Sequence, residues 1–415
     1  MKKIILILLI LIILLLTSCT LFEKEKIYEP QIIWEYVLEH TMFQTSPSYY
    51  DGKVYVLTGK HFITLDALTG EELWSLQYST SDSGLLSSMY PEIDVKRNTA
   101  YFSAGSRLYA VDLENEEFKY ITDLNPLIIT RGNSLIFRDG YSWENAITLY
   151  KDELYLPRHH SGTVVVCDPE TGEVKRFYDL SEIGGSTAYL VRPELNMSSI
   201  RLTFEDDIMY VPTHYYVYAL DINKQPEHSL KSINYDEVYL WRVSRESMLN
   251  IKGPLHLDHS QPLIVGDYVY LNSGTGGGRT YKLDKRTGEL IWEKRGSDQT
   301  GMIYFNGKVI GGSYQSYEAK PSHKGLRALD AHTGEELWRS DFRASSGGMP
   351  VLYNGKIYSA SEGIWYCVDA QTGKSLWSLT GSGYSRSKKT AVNEKDDILY
   401  FTFGGLNKVI AIKPE

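Results

Sequence analysis

The chain has 415 residues with 43 basic and 52 acidic side chains, and Tyr (32) and Trp (8) are abundant against only 3 cysteines. Without the leader that carries Lys2 and Lys3, the balance is 41 basic against 52 acidic residues, or −11. A surface this acidic excludes sequence-independent nucleic-acid binding and attachment to anionic lipid by charge.

Residues 1–18 read as a leader rather than as part of the fold. Lys2 and Lys3 precede thirteen apolar residues (4–16), and Leu16-Thr17-Ser18-Cys19 follows. Thirteen residues fall short of the roughly 17–25 that span a bilayer, and small residues before the cysteine mark a bacterial lipobox rather than a short anchor helix. Cys19 is then the lipidated residue, acylated on thiol and amine, because several acyl chains anchor stably where one is marginal. Residues 19–31 form a lipidated tether, and Thr20 in place of an Asp leans toward the outer membrane. The remaining 32–415 is the folded body.

Its first segment, IIWEYVL (32–38), looks like an orphan outer strand carrying Trp34. Residues 46–78 then break into four apolar-alternating runs at DGK (51–53), TGK (58–60) and LTG (68–70). Period-two alternation between Gly- and Asp-marked turns predicts four antiparallel strands, a to d. The pattern recurs. An apolar-apolar-Asp step falls at Asp66, Asp112, Asp168, Asp221, Asp284, Asp330 and Asp369, and five copies run on into Thr-Gly. Four strands per 40–50 residues, repeated, is a propeller blade. Eight residues after the Asp stands Trp74, Trp292, Trp338 or Trp377, with Tyr120 and Arg176 in weaker copies. Trp241 fills the position in the fourth copy after an insertion in the c–d turn. Such rings, with Trp34, are blade-docking side chains lying in the seams. Each removes about 150–250 Å² from water. The last unit (389–415) has three strands and stops, so Trp34's strand completes it. The expected fold is an all-β, eight-bladed β-propeller with four antiparallel strands per blade and the N-terminal strand closing the last. Seven blades remain possible if the Gly-less second copy is irregular.

The Asp-x-x-x-Gly-x-x-x-Trp spacing resembles the docking motif of the PQQ-like repeat family, strongly in blades 1, 5, 6 and 7 and weakly in 2, 3 and 4. That family holds quinoprotein dehydrogenases and also non-catalytic lipoproteins, among them an eight-bladed outer-membrane β-barrel assembly lipoprotein. Length and anchor are similar to the second group. The repeat specifies a fold, not an activity.

Strand parity places the b–c loops and d–a crossovers on one face, and the a–b and c–d turns on the other. The long segments (79–90, 122–144, 181–197, 244–260, and loops 274–279 and 316–325) fall mostly on the first face, with one insertion (223–237) on the second. The elaborated face is therefore the candidate binding face, since loops on a rigid scaffold carry function. Trp143 and Trp365, the two tryptophans outside the seams, map to it. Tyr314 and Tyr317 are candidate aromatic anchors, Arg279 is a candidate charge at the channel mouth, and His159 and His160 end strand b of blade 3. Adjacent strand residues point to opposite faces, so that His pair is a poor chelate. His256, Asp258 and His259 form a weak candidate metal site without a third His or Cys ligand nearby. Cys167 and Cys367 belong to distant blades and read as small buried apolar residues.

No nucleophile elbow, His-Glu-x-x-His or Cys-x-x-Cys is present, and no catalytic residue, metal or cofactor is assigned. Three readings follow. The first is a non-catalytic, membrane-anchored scaffold of the cell envelope, outer-membrane and facing the periplasm. Its partners are envelope proteins, which the resemblance extends to the β-barrel assembly machinery. The second is a quinoprotein dehydrogenase, although the vicinal cysteines that the resemblance implies for such enzymes are missing. The third is a glycan- or small-ligand-binding surface lipoprotein.

Overall fold

The computed structural model describes residues 30–39, 45–79, 90–124, 130–131, 134–135, 146–158, 163–179, 201–213, 216–224, 232–234, 239–251, 255, 257, 260–274, 278–297, 301–313, 325–340, 349–361, 364–380, 389–403 and 407–414. These residues form eight antiparallel blades around a ring. The first blade is typical. Ser48–Tyr50, Lys53–Leu57, His61–Asp66 and Glu72–Gln77 pair in that order. The two middle strands are buried on both faces, which is why KVYVL and HFITLD read as nearly continuous apolar runs, whereas the outer strand alternates exposed and half-buried residues. The short first strands of neighbouring blades lie side by side, Ser48–Tyr50 between Glu92–Asp94 and Ala391–Asn393, and so surround the axis.

Ring closure follows the sequence expectation. Gln31–Val37 pairs antiparallel with Lys408–Lys413 and supplies the outer strand of a sheet otherwise built from Ala391–Asn393, Ile398–Phe403 and Lys408–Lys413. Trp241 lies on Tyr239–Ser244, paired with Tyr216–Asp221 across the insertion. The parity argument also holds. In blade after blade the c–d turn hydrogen-bonds to the a–b turn, as in Ala67 N to Gly52 O (2.9 Å), Ala331 N to Gly307 O (2.8 Å) and Ala370 N to Gly355 O (3.0 Å). These turns form one flat face.

A recurrent irregularity was not legible in the sequence. Each outer strand carries one extra residue just before its docking side chain. Thr64 pairs with Trp74 and Leu65 with Glu72, leaving Leu73 bulged, and Leu240, Ile291, Leu337 and Leu376 repeat this before Trp241, Trp292, Trp338 and Trp377. A bulge bends and twists its strand and re-aims the next side chain, here the indole. Four of the bulged residues are turned outward, Leu73, Leu240, Ile291 and Leu337 being between 40% and 49% exposed despite being aliphatic, while Leu376 packs against the core.

Two further features depart from the repeat. Part of the blade 4 insertion, Ser232–Asn234, pairs in parallel with Phe177–Asp179 and adds a fifth strand to blade 3. The crossover expected at 244–260 begins with a short helix, Arg245–Leu249, capped reciprocally by Ser244 and Ser247. The loop read at 274–279 also ends one residue early, since Arg279 opens the strand Arg279–Asp284.

Candidate functional site

The repeated Asp residues are structural. Asp66 Oδ1 accepts from the N–H groups of Leu68 (2.9 Å) and Thr69 (2.8 Å) and from Thr69 Oγ1 (3.1 Å), and Asp168, Asp284, Asp330 and Asp369 do the same in their turns. The Thr287 N–H holds the Asp284 carboxyl below its ordinary range, and the Thr333 N–H does so for Asp330. These acids fix the turn so that its glycine takes a positive φ, +75° at Gly70 and +74° at Gly334.

That turn is a socket for the preceding blade. The Trp34 ring lies against Gly70, Trp241 against Gly288, Trp292 against Gly334 and Trp338 against Gly373, and Tyr120 takes the same place over Gly172. Trp34 Nε1 donates to Ala67 O (3.0 Å) and Trp241 Nε1 to Lys285 O (2.9 Å). In three blades a second aromatic, from strand b, reaches the carbonyl of the residue after the turn's Asp. Tyr400 donates to Ala67 O (3.0 Å), Tyr101 to Pro169 O (2.9 Å) and Tyr270 to Ala331 O (2.9 Å). The sequence carries this signal as a Tyr at the centre of strand b in seven blades (55, 101, 155, 210, 270, 358, 400), with Ile310 in the eighth. It accounts for part of the tyrosine excess. Trp74 meets a turn whose glycine position is Glu116 at φ +60° and packs instead on Phe62, 5.6 Å between centroids. Trp377 is buried against Tyr358 in the seam between blades 7 and 8.

Of the residues expected on the binding face, Trp143, His159, His160, Tyr314 and Tyr317 lie outside the described residues, as do Cys19 and the metal candidates His256, Asp258 and His259. Trp365 is corrected. Its ring is fully buried, 4.3 Å from the Phe401 centroid in the seam between blades 7 and 8, and it offers no surface to a ligand. The apolar run IWYCV placed it at a strand start, but that start is already inside the sheet. Arg279 is corrected from a mouth charge to a buried strand residue, 5% exposed and ion-paired with Glu293.

Other residues gather where the crossovers meet the channel, and sequence reasoning passed over them because they come from three blades. Tyr90, just before the first strand of blade 2, is flanked by the Arg201 guanidinium from blade 4 at 5.4 Å and by Lys389 Nζ from blade 8 at 4.9 Å. Glu92 stands beneath, accepting from Leu149 N–H at 3.4 Å, and burial raises its pKa despite the nearby Lys389 charge. Burial likewise lowers that of Arg201. Lys389 N–H donates to Ser46 Oγ (2.8 Å) and Ser48 Oγ to Pro91 O (2.6 Å), tying blades 8, 1 and 2 together at this mouth. Farther along the channel wall, a cavity of about 320 Å³ is lined by Thr203, Phe204, Glu205, Pro262, Leu263 and Met302.

Cys167 and Cys367 are free, buried in different blades, with burial pushing both thiols up to about 12. Among the described residues no three His, Cys, Asp or Glu side chains converge on a metal position.

The outer edges of the blades are the other feature able to engage a partner. An outer strand leaves one row of backbone groups unpaired, and such an edge accepts an added strand. Blade 3 demonstrates it by pairing Phe177, Tyr178 and Asp179 with Ser232, Ile233 and Asn234.

A family model described as outer membrane protein assembly factor BamB matches residues 30–117 and 322–402. No curated protein matches the chain in sequence. The crystal structure of BamB from Moraxella catarrhalis superposes with a TM-score of 0.64 at 14% identity, covering 93% of this chain and 100% of that one. The quinohemoprotein alcohol dehydrogenase from Comamonas testosteroni gives 0.64 at 15%, covering 92% and 77%. The computationally designed Ika8 protein gives 0.59 at 16%, covering 93% and 100%. At such identities the likeness is one of fold.

Proposed function

Taking as premise that this chain is an eight-bladed propeller of the PQQ-like repeat type, we propose that it is a non-catalytic scaffold of the bacterial cell envelope, anchored by lipid on Cys19. On this reading it binds envelope proteins, the β-barrel assembly machinery among them. Support comes from the family model and the fold shared with Moraxella BamB. The observation that carries the reading is the strand Ser232–Asn234 seated on the edge of blade 3. It shows that an outer strand of this ring takes up a further strand, and other outer strands add exposed aliphatic side chains at their bulges. Backbone pairing then provides affinity, and alternate side chains provide selectivity.

The test places a photoreactive residue at Leu73, Ile291 or Leu337 in living cells. Crosslinks to outer-membrane assembly proteins support the reading, and no protein adduct from any of the three sinks it. The equal TM-score of the Comamonas dehydrogenase keeps quinoprotein activity as the competing outcome. Incubation with PQQ and calcium, followed by dye reduction with alcohols and sugars, measures it directly.

A further inference from the structure

We infer that the flat turn face of the disc is held toward a phospholipid headgroup surface, with the crossover face directed away from it. The inference rests on the lipid-anchored reading above, but its content comes from topology. In each blade the outer strand runs from the c–d turn to the crossover, hence from the flat face to the elaborated one. The outer strand of the closing blade is Gln31–Val37, so the chain must enter it at the flat face. The register agrees. Gln31 stands opposite Lys413 and Val37 opposite Lys408. Lys413 Nζ donates to Asp396 O in the a–b turn of the closing blade (2.5 Å), while Leu38 N–H donates to Asn407 O at the b–c loop (2.7 Å). Gln31 therefore lies at the turn end and Leu38 at the crossover end.

Chain length then limits the geometry. Residues 20–30 are all that separates Cys19 from Gln31, and at roughly 3.3–3.6 Å per residue they reach at most about 40 Å. A six-residue strand is about 20 Å long. Turning the crossover face to the bilayer would draw the tether around the rim and consume about half that reach, with a corresponding loss of chain entropy. Four of the flat face's cations pair with acids on the neighbouring blade: Lys96 with Asp152 (2.9 Å), Arg97 with Glu170 (2.7 Å), Lys119 with Glu170 (2.8 Å) and Lys285 with Glu205 (2.5 Å). Projecting from its turns are Leu68, 55% exposed, and Val95, 64% exposed.

The experiment uses the full lipidated chain in vesicles of phosphatidylethanolamine and phosphatidylglycerol containing a headgroup-labelled energy acceptor. A maleimide donor is attached through Leu68→Cys or Val95→Cys on the flat face, or through Gln77→Cys or Arg107→Cys on the other. Cys167 and Cys367 are fully buried and stay unlabelled. Energy transfer several-fold greater from positions 68 and 95 than from 77 and 107 is the expected result. Equal or reversed transfer in protein that floats with the vesicles overturns the orientation and leaves the anchor standing. Failure to float overturns the anchor, and the orientation with it.

Discussion

Trp34 and Gly70 close the ring. The indole of the first strand lies so near the glycine of the first Thr-Gly turn that a β-carbon on Gly70 would stand 2.5 Å from Trp34 Cδ2. Blade 8 is thereby locked to blade 1 by the same joint that links 4 to 5, 5 to 6 and 6 to 7. The joint has two separable demands, a left-handed backbone and an empty space above it.

Gly70→Ala and Gly52→Ala separate them. Both glycines have φ near +75°, but nothing lies within 4 Å of a β-carbon at Gly52. Gly52→Ala should cost about 1–3 kcal/mol for the strained backbone alone. Gly70→Ala should add about 1–3 kcal/mol of overpacking against the indole. Denaturant midpoints of the two variants measure the difference, and equal losses would show that the ring is not seated on the turn.

Removing the ring makes the complementary case. Trp34→Ala should destabilise the protein by about 3–5 kcal/mol, the usual loss for a buried Trp. The loss should also be local. Hydrogen exchange should accelerate first in Gln31–Val37 and in its partner Lys408–Lys413. Uniform acceleration around all eight blades would argue against a terminal strand serving as the latch.

These joints were legible because Asp, Gly and Trp recur at fixed spacing, and each residue type has one physical job there. The bulges were hidden because Leu73 or Ile291 reads as an ordinary strand residue, and only pairing shows that it has no partner across the sheet. The roles of Tyr101, Tyr270 and Tyr400 on strand b were not legible, since the carbonyls they donate to lie in another blade. Trp365 was misplaced for a similar reason. Being outside a seam motif does not make a ring exposed when the neighbouring blade supplies Phe401. The mouth of Tyr90, Arg201 and Lys389 comes from three blades, and no local pattern announces it.

Blade 3 replaces its docking ring with Arg176, which grips Glu153 through two hydrogen bonds (2.8 and 2.5 Å). Burial opposes the Glu153 charge, yet Arg176 and Lys175 hold its pKa at about 2 against an ordinary 4.5. A carboxyl depressed in the folded state contributes stability above its unfolded pKa and loses it as pH falls through the folded one. The pair should therefore stabilise fully above about pH 5 and fade between 4.5 and 2. Glu153→Gln strands a buried guanidinium and should cost about 3–5 kcal/mol near neutrality. Its stability should also fall less steeply with acid than that of the parent, as followed by urea titrations across that range.

The bulge positions carry the last prediction. Leu73, Ile291 and Leu337 are exposed, whereas blades 2 and 3 place Lys119 and Lys175 at the same bulge, paired with Glu170 (2.8 Å) and Glu153 (2.7 Å). The fold thus already accepts lysine there, and each of Leu73→Lys, Ile291→Lys and Leu337→Lys should change stability by no more than about 0.5 kcal/mol. Partner binding should respond quite differently. Blade 3 takes up Ser232–Asn234 although Lys175 stands at its bulge, so lysine there leaves the backbone edge open and removes only the aliphatic contact; the triple variant should weaken crosslinking from photoreactive residues placed elsewhere on those outer strands, at Ser75 or Lys294, while keeping its melting temperature. Undiminished crosslinking would move the binding surface off the rim and onto the crossover face.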